Sequence, residues 1–211
     1  MTDWATISSL ATAGGTLVLA VATFLAVRSA NTSARVTERS LLAGIRPVLA
    51  PSRLDDPPEK VGFADDHWLK VPGGRAVVEA TDDAVYLAMA LRNVGNGLAV
   101  LDRWYVHPAR VTGAGAARPD PGAFRRLTRD IYVPANGLGF WQGALRDPAD
   151  PLFAEVRKRV EAGEPLTVDL LYGDHEGGQH TVTRFGLLPD GKGGWLAAAT
   201  RHWNLDRTDP R

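Results

Sequence analysis

Between Asp3 and Arg28 the chain runs for 24 residues without a charged side chain. No other feature limits the fold so strongly. As an α-helix, residues 4–27 are about 36 Å long, enough to cross the ~30 Å hydrocarbon core of a bilayer with some tilt. A secretory leader needs a basic n-region and a shorter apolar core, and here the n-region is Met-Thr-Asp. A buried core helix would suit the dilution by Ser8, Ser9, Thr12, Gly14, Gly15, Thr16 and Thr23. Soluble helices seldom avoid charge over such a length, however. The expectation is a transmembrane helix at 4–27.

The flanks give it a direction. Arg28, Arg35, Arg39 and Arg46 follow the apolar run, and no basic side chain precedes it. Arginines beside a span favour the cytoplasmic side, so the N-terminus is expected outside and the rest of the chain in the cytoplasm. The first three could also meet anionic headgroups of the lipid bilayer, at about 1 kcal/mol each. The span has two faces. Ser8, Ala11, Thr12, Gly15, Thr16 and Thr23 fall on one side, interrupted by Leu19. Leu10, Leu17, Val21, Phe24 and Leu25 fall largely on the other. Small residues let backbones approach, so a homodimer through the transmembrane helix is an open alternative to simple tolerance of small residues in lipid.

Past the apolar run, residues 28–46 read as a juxtamembrane helix that Pro47 ends. Residues 47–211 are long enough for one hydrophobic core. The chain as a whole balances 24 basic against 24 acidic residues. Four Arg, Asp3 and Glu38 belong to the first 46, which leaves 20 against 22 in the remainder. Such a domain has no electrostatic footprint for nucleic acid. The absence of cysteine excludes disulfides, thiolate metal sites and cysteine catalysis.

The domain reads as short apolar runs punctuated by Gly, Pro and Asp. Strands are expected at 47–53, 76–80, 85–92, 103–111, 130–134, 138–142, 166–172, 179–188 and 195–203, with a short ribbon near 67–71. Asn93-Val94-Gly95-Asn96-Gly97 is a turn cluster whose residue types tolerate positive φ. Asn136-Gly137 is a hairpin signal. One helix begins at Pro151, carries Leu152, Phe153, Val156 and Val160, and can end at Gly163. Many short strands and one short helix predict a mainly β fold, an antiparallel, Ig-like β-sandwich behind the N-terminal transmembrane helix.

Several stretches carry a resemblance. Leu91-Arg92-Asn93-Val94-Gly95-Asn96-Gly97-Leu98-Ala99 and Tyr172-Gly173-Asp174-His175-Glu176-Gly177-Gly178 are two of them. Phe140-Trp141-Gln142-Gly143-Ala144 and His202-Trp203-Asn204-Leu205-Asp206 are the others. Together the chain resembles a group of actinobacterial single-span membrane proteins in which a short N-terminal helix precedes a cytoplasmic β-sandwich. The resemblance covers nearly the whole chain. It implies architecture and topology, and brings no catalytic residue with it.

The strongest chemical candidate is Asp174-His175-Glu176-Gly177-Gly178-Gln179-His180. With a two-residue turn at Gly177-Gly178, His175 faces His180 and Glu176 faces Gln179. Opposed Cβ atoms lie about 4.5–5.5 Å apart, so both imidazoles and Glu176 or Asp174 could share a divalent metal. A slip of one residue separates the histidines, and an exposed polar hairpin tip is the plain alternative. Gly186 to Gly193 nearly spells a P-loop, but Gly193 stands where Ser or Thr must ligate magnesium and a strand, not a helix, follows. Asp190-Gly191 is therefore read as a turn. Gly113-Ala114-Gly115 lacks the third glycine of a dinucleotide fingerprint. His107 is read as a strand-end residue. Trp104 and Tyr105 must point to opposite faces of their strand. Trp104, Tyr105, Tyr132, Phe140, Trp141, Trp195 and Trp203 either fill the sandwich or form a partner patch, and filling is the preferred reading.

No catalytic motif is legible. The expectation is a membrane-anchored, non-enzymatic interaction module with a protein partner. The alternative is a metal-binding protein or metal-assisted hydrolase using His175, His180 and Glu176.

Overall fold

The computed structural model describes residues 4–111 and 117–206. Asp3 and the 113–115 glycines lie outside these. The chain divides into two units, Met1–Ala43 and Gly44–Arg211.

The first unit is one helix, α1 (Trp4–Gly44), 41 residues long. It is apolar and long enough over Leu10–Gly44 to cross a membrane. Its large side chains, including Leu17, Val18, Phe24 and Leu25, are exposed. Two of the hydroxyls that dilute it are satisfied along the helix itself. Thr12 donates to the Ser8 carbonyl at 2.9 Å and Thr16 to the Thr12 carbonyl at 2.9 Å. A hydroxyl bonded in this way adds little polar cost in lipid. The helix stops at Gly44, two residues short of the expected end, because Ile45 and Arg46 are held by the domain.

Eleven strands are described in the second unit: β1 (Leu49–Pro51), β2 (Glu59–Gly62), β3 (Trp68–Val71), β4 (Arg75–Ala80), β5 (Val85–Asn93), β6 (Ala99–His107), β7 (Arg125–Val133), β8 (Leu138–Leu145), β9 (Leu166–Gly173), β10 (His180–Pro189) and β11 (Trp195–Asn204). All pairings are antiparallel. One half is β8–β5–β4, with β1 continuing the β4 edge; the other is β11–β10–β9–β6–β7. A bridge of two residue pairs, Trp195 with Ala76 and Leu196 with Arg75, joins them. The curled sheet thus folds over as a β-sandwich, as expected.

The main core lies between the halves. Leu87, Met89 and Trp141 meet Trp104, Leu170, Tyr172 and Phe185 there. Trp104 and Trp141 pack edge to face at 5.5 Å, worth about 0.5–1.5 kcal/mol beyond their buried area. α2 (Pro151–Glu161) adds Phe153 and Val156 to this core. Asp150 caps it by accepting from the Leu152 N–H, Pro151 occupies its first turn, and Gly163 follows it at φ 62°. The β2–β3 ribbon covers the outer side of β5, burying Val61, Phe63 and Leu69 against Tyr86 and Ala88. A third cluster of Phe124, Leu171, Val182 and Trp203 covers the outer side of the other half.

Two turns differ from expectation. Asn136 has φ 55°, as a turn asparagine can, but β7 pairs with β6 and β8 with β5. The Asn136-Gly137 turn is a corner between the halves rather than a hairpin, because each strand finds its ladder in a different half. In the 93–97 cluster no residue has positive φ. Its glycines serve close approach: a Cβ on Gly97 would collide with the Ile45 carbonyl, and one on Gly95 with the Arg46 carbonyl. Buried Asn93 binds this junction. Its Oδ1 accepts from Val48 N and Gly95 N, and its Nδ2 donates to the Gly97 and Val133 carbonyls. Arg46 adds a second tie, donating to Asp206 at 2.6 Å and to Asn204 at 2.9 Å.

Candidate functional site

The 174–180 hairpin does not take the expected register. His180 stands opposite Gly173, and the Asp174 N–H donates to the Gln179 carbonyl. His175 and Glu176 therefore sit within a four-residue turn, paired with each other at 3.2 Å, and not across a ladder from His180. Asp174 is the reason. It is buried, its Oδ1 accepts from Gly178 N and its Oδ2 from Gln179 Nε2, which closes a wider turn than two glycines would. Among the described residues no group of three His, Asp or Glu converges on a common point. The Asp190-Gly191 segment is the turn expected of it: Asp190 Oδ1 accepts from Lys192 N and Gly194 N, and Gly191 has φ 71°.

The polar chemistry of the domain lies instead on the two faces of β9 and β10. On the inner face, Leu49 N donates to the Tyr172 hydroxyl at 3.1 Å. That hydroxyl meets Thr183 Oγ1 at 2.8 Å, and Thr183 Oγ1 meets His202 Nδ1 at 2.7 Å. Donation in one direction makes Nδ1 the acceptor and His202 neutral. Burial agrees, since it pushes the imidazole below its ordinary value of 6.5. Burial likewise raises the Tyr172 phenol. This relay ties β1, β9, β10 and β11 together without a formal charge.

On the outer face the groups are ionic. Asp169, fully buried on β9, accepts from Arg184 Nε at 2.7 Å and Nη2 at 2.7 Å. His107 Nε2, at the end of β6, lies 2.8 Å from the same carboxylate. Burial alone would raise the Asp169 carboxyl, but the bonds from Arg184 and His107 outweigh it and hold the group below its ordinary range. The pairing follows from register: Arg184 lies opposite Asp169 on β10, and Tyr105 lies opposite it on β6. A bulge between Leu101 and Arg103 sets that register, sending Trp104 to the core and Tyr105 outward. The Arg184 guanidinium stacks on Trp203 at 5.0 Å. Tyr105 packs against His107 at 4.7 Å and against Phe124 at 6.1 Å.

Above this cluster is a cavity of about 340 Å³, bordered by Tyr105, His107, Phe124, Arg184, Arg118 and Pro119. An ionised Asp169 fixes the His107 ring with its Nε2–H inward, which leaves Nδ1 without a described partner. Such a site can orient an imidazole and present donors to a ligand. The sequence reading of His107 as a plain strand end missed it. The available signal was Asp169 itself, a lone charge in the apolar run Leu166–Gly173, which must be paired if buried.

The aromatics mostly fill the interior. Trp104, Trp141, Trp195 and Trp203 are buried, while Tyr132 and Trp68 are more than half exposed. Compared with protein-family models and with curated proteins, the chain matches none.

Proposed function

We propose that the chain is a single-pass membrane protein with its N-terminus outside and its 47–211 domain in the cytoplasm, acting as a non-enzymatic module that recruits or senses a protein partner at the inner membrane face. The observation that supports this reading is α1: an apolar helix of bilayer length, exposed along its described side chains, with Arg28, Arg35 and Arg39 on the domain side. A helix with that much exposed apolar surface requires lipid or protein around it. A nearly neutral domain with no legible catalytic motif then acts by location and contact.

Topology is tested by labelling. The chain has no cysteine, so Thr2→Cys and Ala135→Cys each introduce a single thiol. An impermeant maleimide should label the first in intact cells and the second only after lysis. The opposite pattern overturns the orientation, and loss of an N-terminal tag from the mature protein marks the apolar run as a cleaved leader. Affinity purification of the tagged full chain from its own membranes should return a specific protein above a tag-only control. Recovery of none overturns the recruitment reading.

A further inference from the structure

The outer-face cavity has more donors than the protein uses. Arg184 is 96% buried, since it exposes 4% of its surface, yet only Nε and Nη2 of its guanidinium are engaged by Asp169. Its Nη1 donates to no described group although Arg184 borders the cavity. Arg118, at the rim, makes no ion pair among the described residues. Of the two carboxylates nearby, the buried one is fully engaged and the other, Asp120, is exposed at the rim beside Arg118. Asp169 is taken by Arg184 and His107, and Asp120 accepts from Gly122 N. A ligand completing the buried end of this site, at Arg184 Nη1, must bring an acceptor, while His107 Nδ1 offers one acceptor on the cavity wall. The remaining walls are apolar or aromatic: Tyr105, Phe124, Val111 and Pro119.

We propose that this cavity binds a small amphipathic carboxylate. The carboxylate group accepts from Arg184 Nη1 at the floor, and the apolar body lies between Tyr105 and Phe124. Arg118 supplies a second positive charge at the rim. The cavity is at the small end of ligand sites, which suits a molecule of roughly ten heavy atoms. A phosphate dianion fits less well, because apolar walls leave most of its oxygens without donors. The proposal goes beyond membrane recruitment and stands independently of it, since it concerns the domain alone.

The test uses the full chain in detergent, with phenylacetate and hexanoate as probes and phenylacetamide as the neutral control, read by calorimetry. Saturable binding of the carboxylates is expected at about 1 mM or tighter, with the amide at least about tenfold weaker. Arg118→Glu, an exposed change, should weaken phenylacetate about tenfold without altering the unfolding midpoint. The paired change Asp169→Leu/Arg184→Met removes floor charge and donor together, and should abolish binding. No saturable binding up to about 10 mM overturns the proposal, as does equal affinity for the amide. Unchanged affinity in the folded double variant also overturns it; should that variant fail to fold, unchanged affinity in Arg118→Glu does so instead.

Discussion

The two faces of β9 and β10 solve one problem in opposite ways. Each joins buried polar groups on neighbouring strands to a histidine nearer the surface. The inner face passes hydrogen bonds from Leu49 N through Tyr172 and Thr183 to His202, and every member is neutral. The outer face opposes a buried carboxylate to a buried guanidinium and adds His107. The inner chain runs from the buried Tyr172 and Thr183 out to His202 at the surface, and its hydroxyls are engaged with one another, so it serves to fix strands. The outer cluster borders a cavity and keeps unused donors, which a purely structural ion pair has no need of.

The contrast can be broken with substitutions of decreasing effect. Arg184→Met leaves the buried Asp169 with His107 as its remaining partner, and should cost about 3–5 kcal/mol in denaturant unfolding of the full chain. Asp169→Leu/Arg184→Met should recover most of that loss; a double variant as unstable as the single one would mean that packing, not charge, holds this face. On the inner face Tyr172→Phe strands the Leu49 N–H and should cost about 1–3 kcal/mol. A smaller effect follows from acid. His202 is depressed, so as pH falls through 6.5 the unfolded chain takes up a proton that the folded chain refuses, and stability declines. Asp169 is also depressed, so its contribution persists above 3.8 and is lost only as pH falls through its lower folded value. The relay should therefore weaken first and the ion pair later. His202→Gln should flatten the first stage alone, and a slope unchanged near pH 6 would assign it to another group. His107→Leu, whose side chain is 24% exposed and whose loss leaves Asp169 paired with Arg184, should cost about 1 kcal/mol.

Much of the architecture was legible because it is written locally. The Pro151 start and Gly163 stop bracket α2, and alternation marks β9 and β10 to within a residue or two. The charge-free run alone announces α1. What sequence reading missed is long-range. Asn136-Gly137 has hairpin chemistry, yet which ladders its flanking strands join is decided by packing across the sandwich. The 175–180 register turned on whether Asp174 would cap the turn, a choice made by burial. His107 and Asp169 are 62 residues apart, and they meet only because a bulge shifts β6 against β9. No local pattern encodes a contact of that kind, but a solitary Asp in an apolar strand does announce that a partner exists.

The junction at Ile45 has a mechanical consequence. Asn93 fastens this stretch to the end of β5, and Arg46 fastens it to Asn204 at the end of β11 and to Asp206 just past it. Tension arriving along the chain at Ile45 is thus shared between two strands from opposite halves of the sandwich. The short β1 ladder, three residue pairs that would otherwise unzip one by one, carries only part of the load.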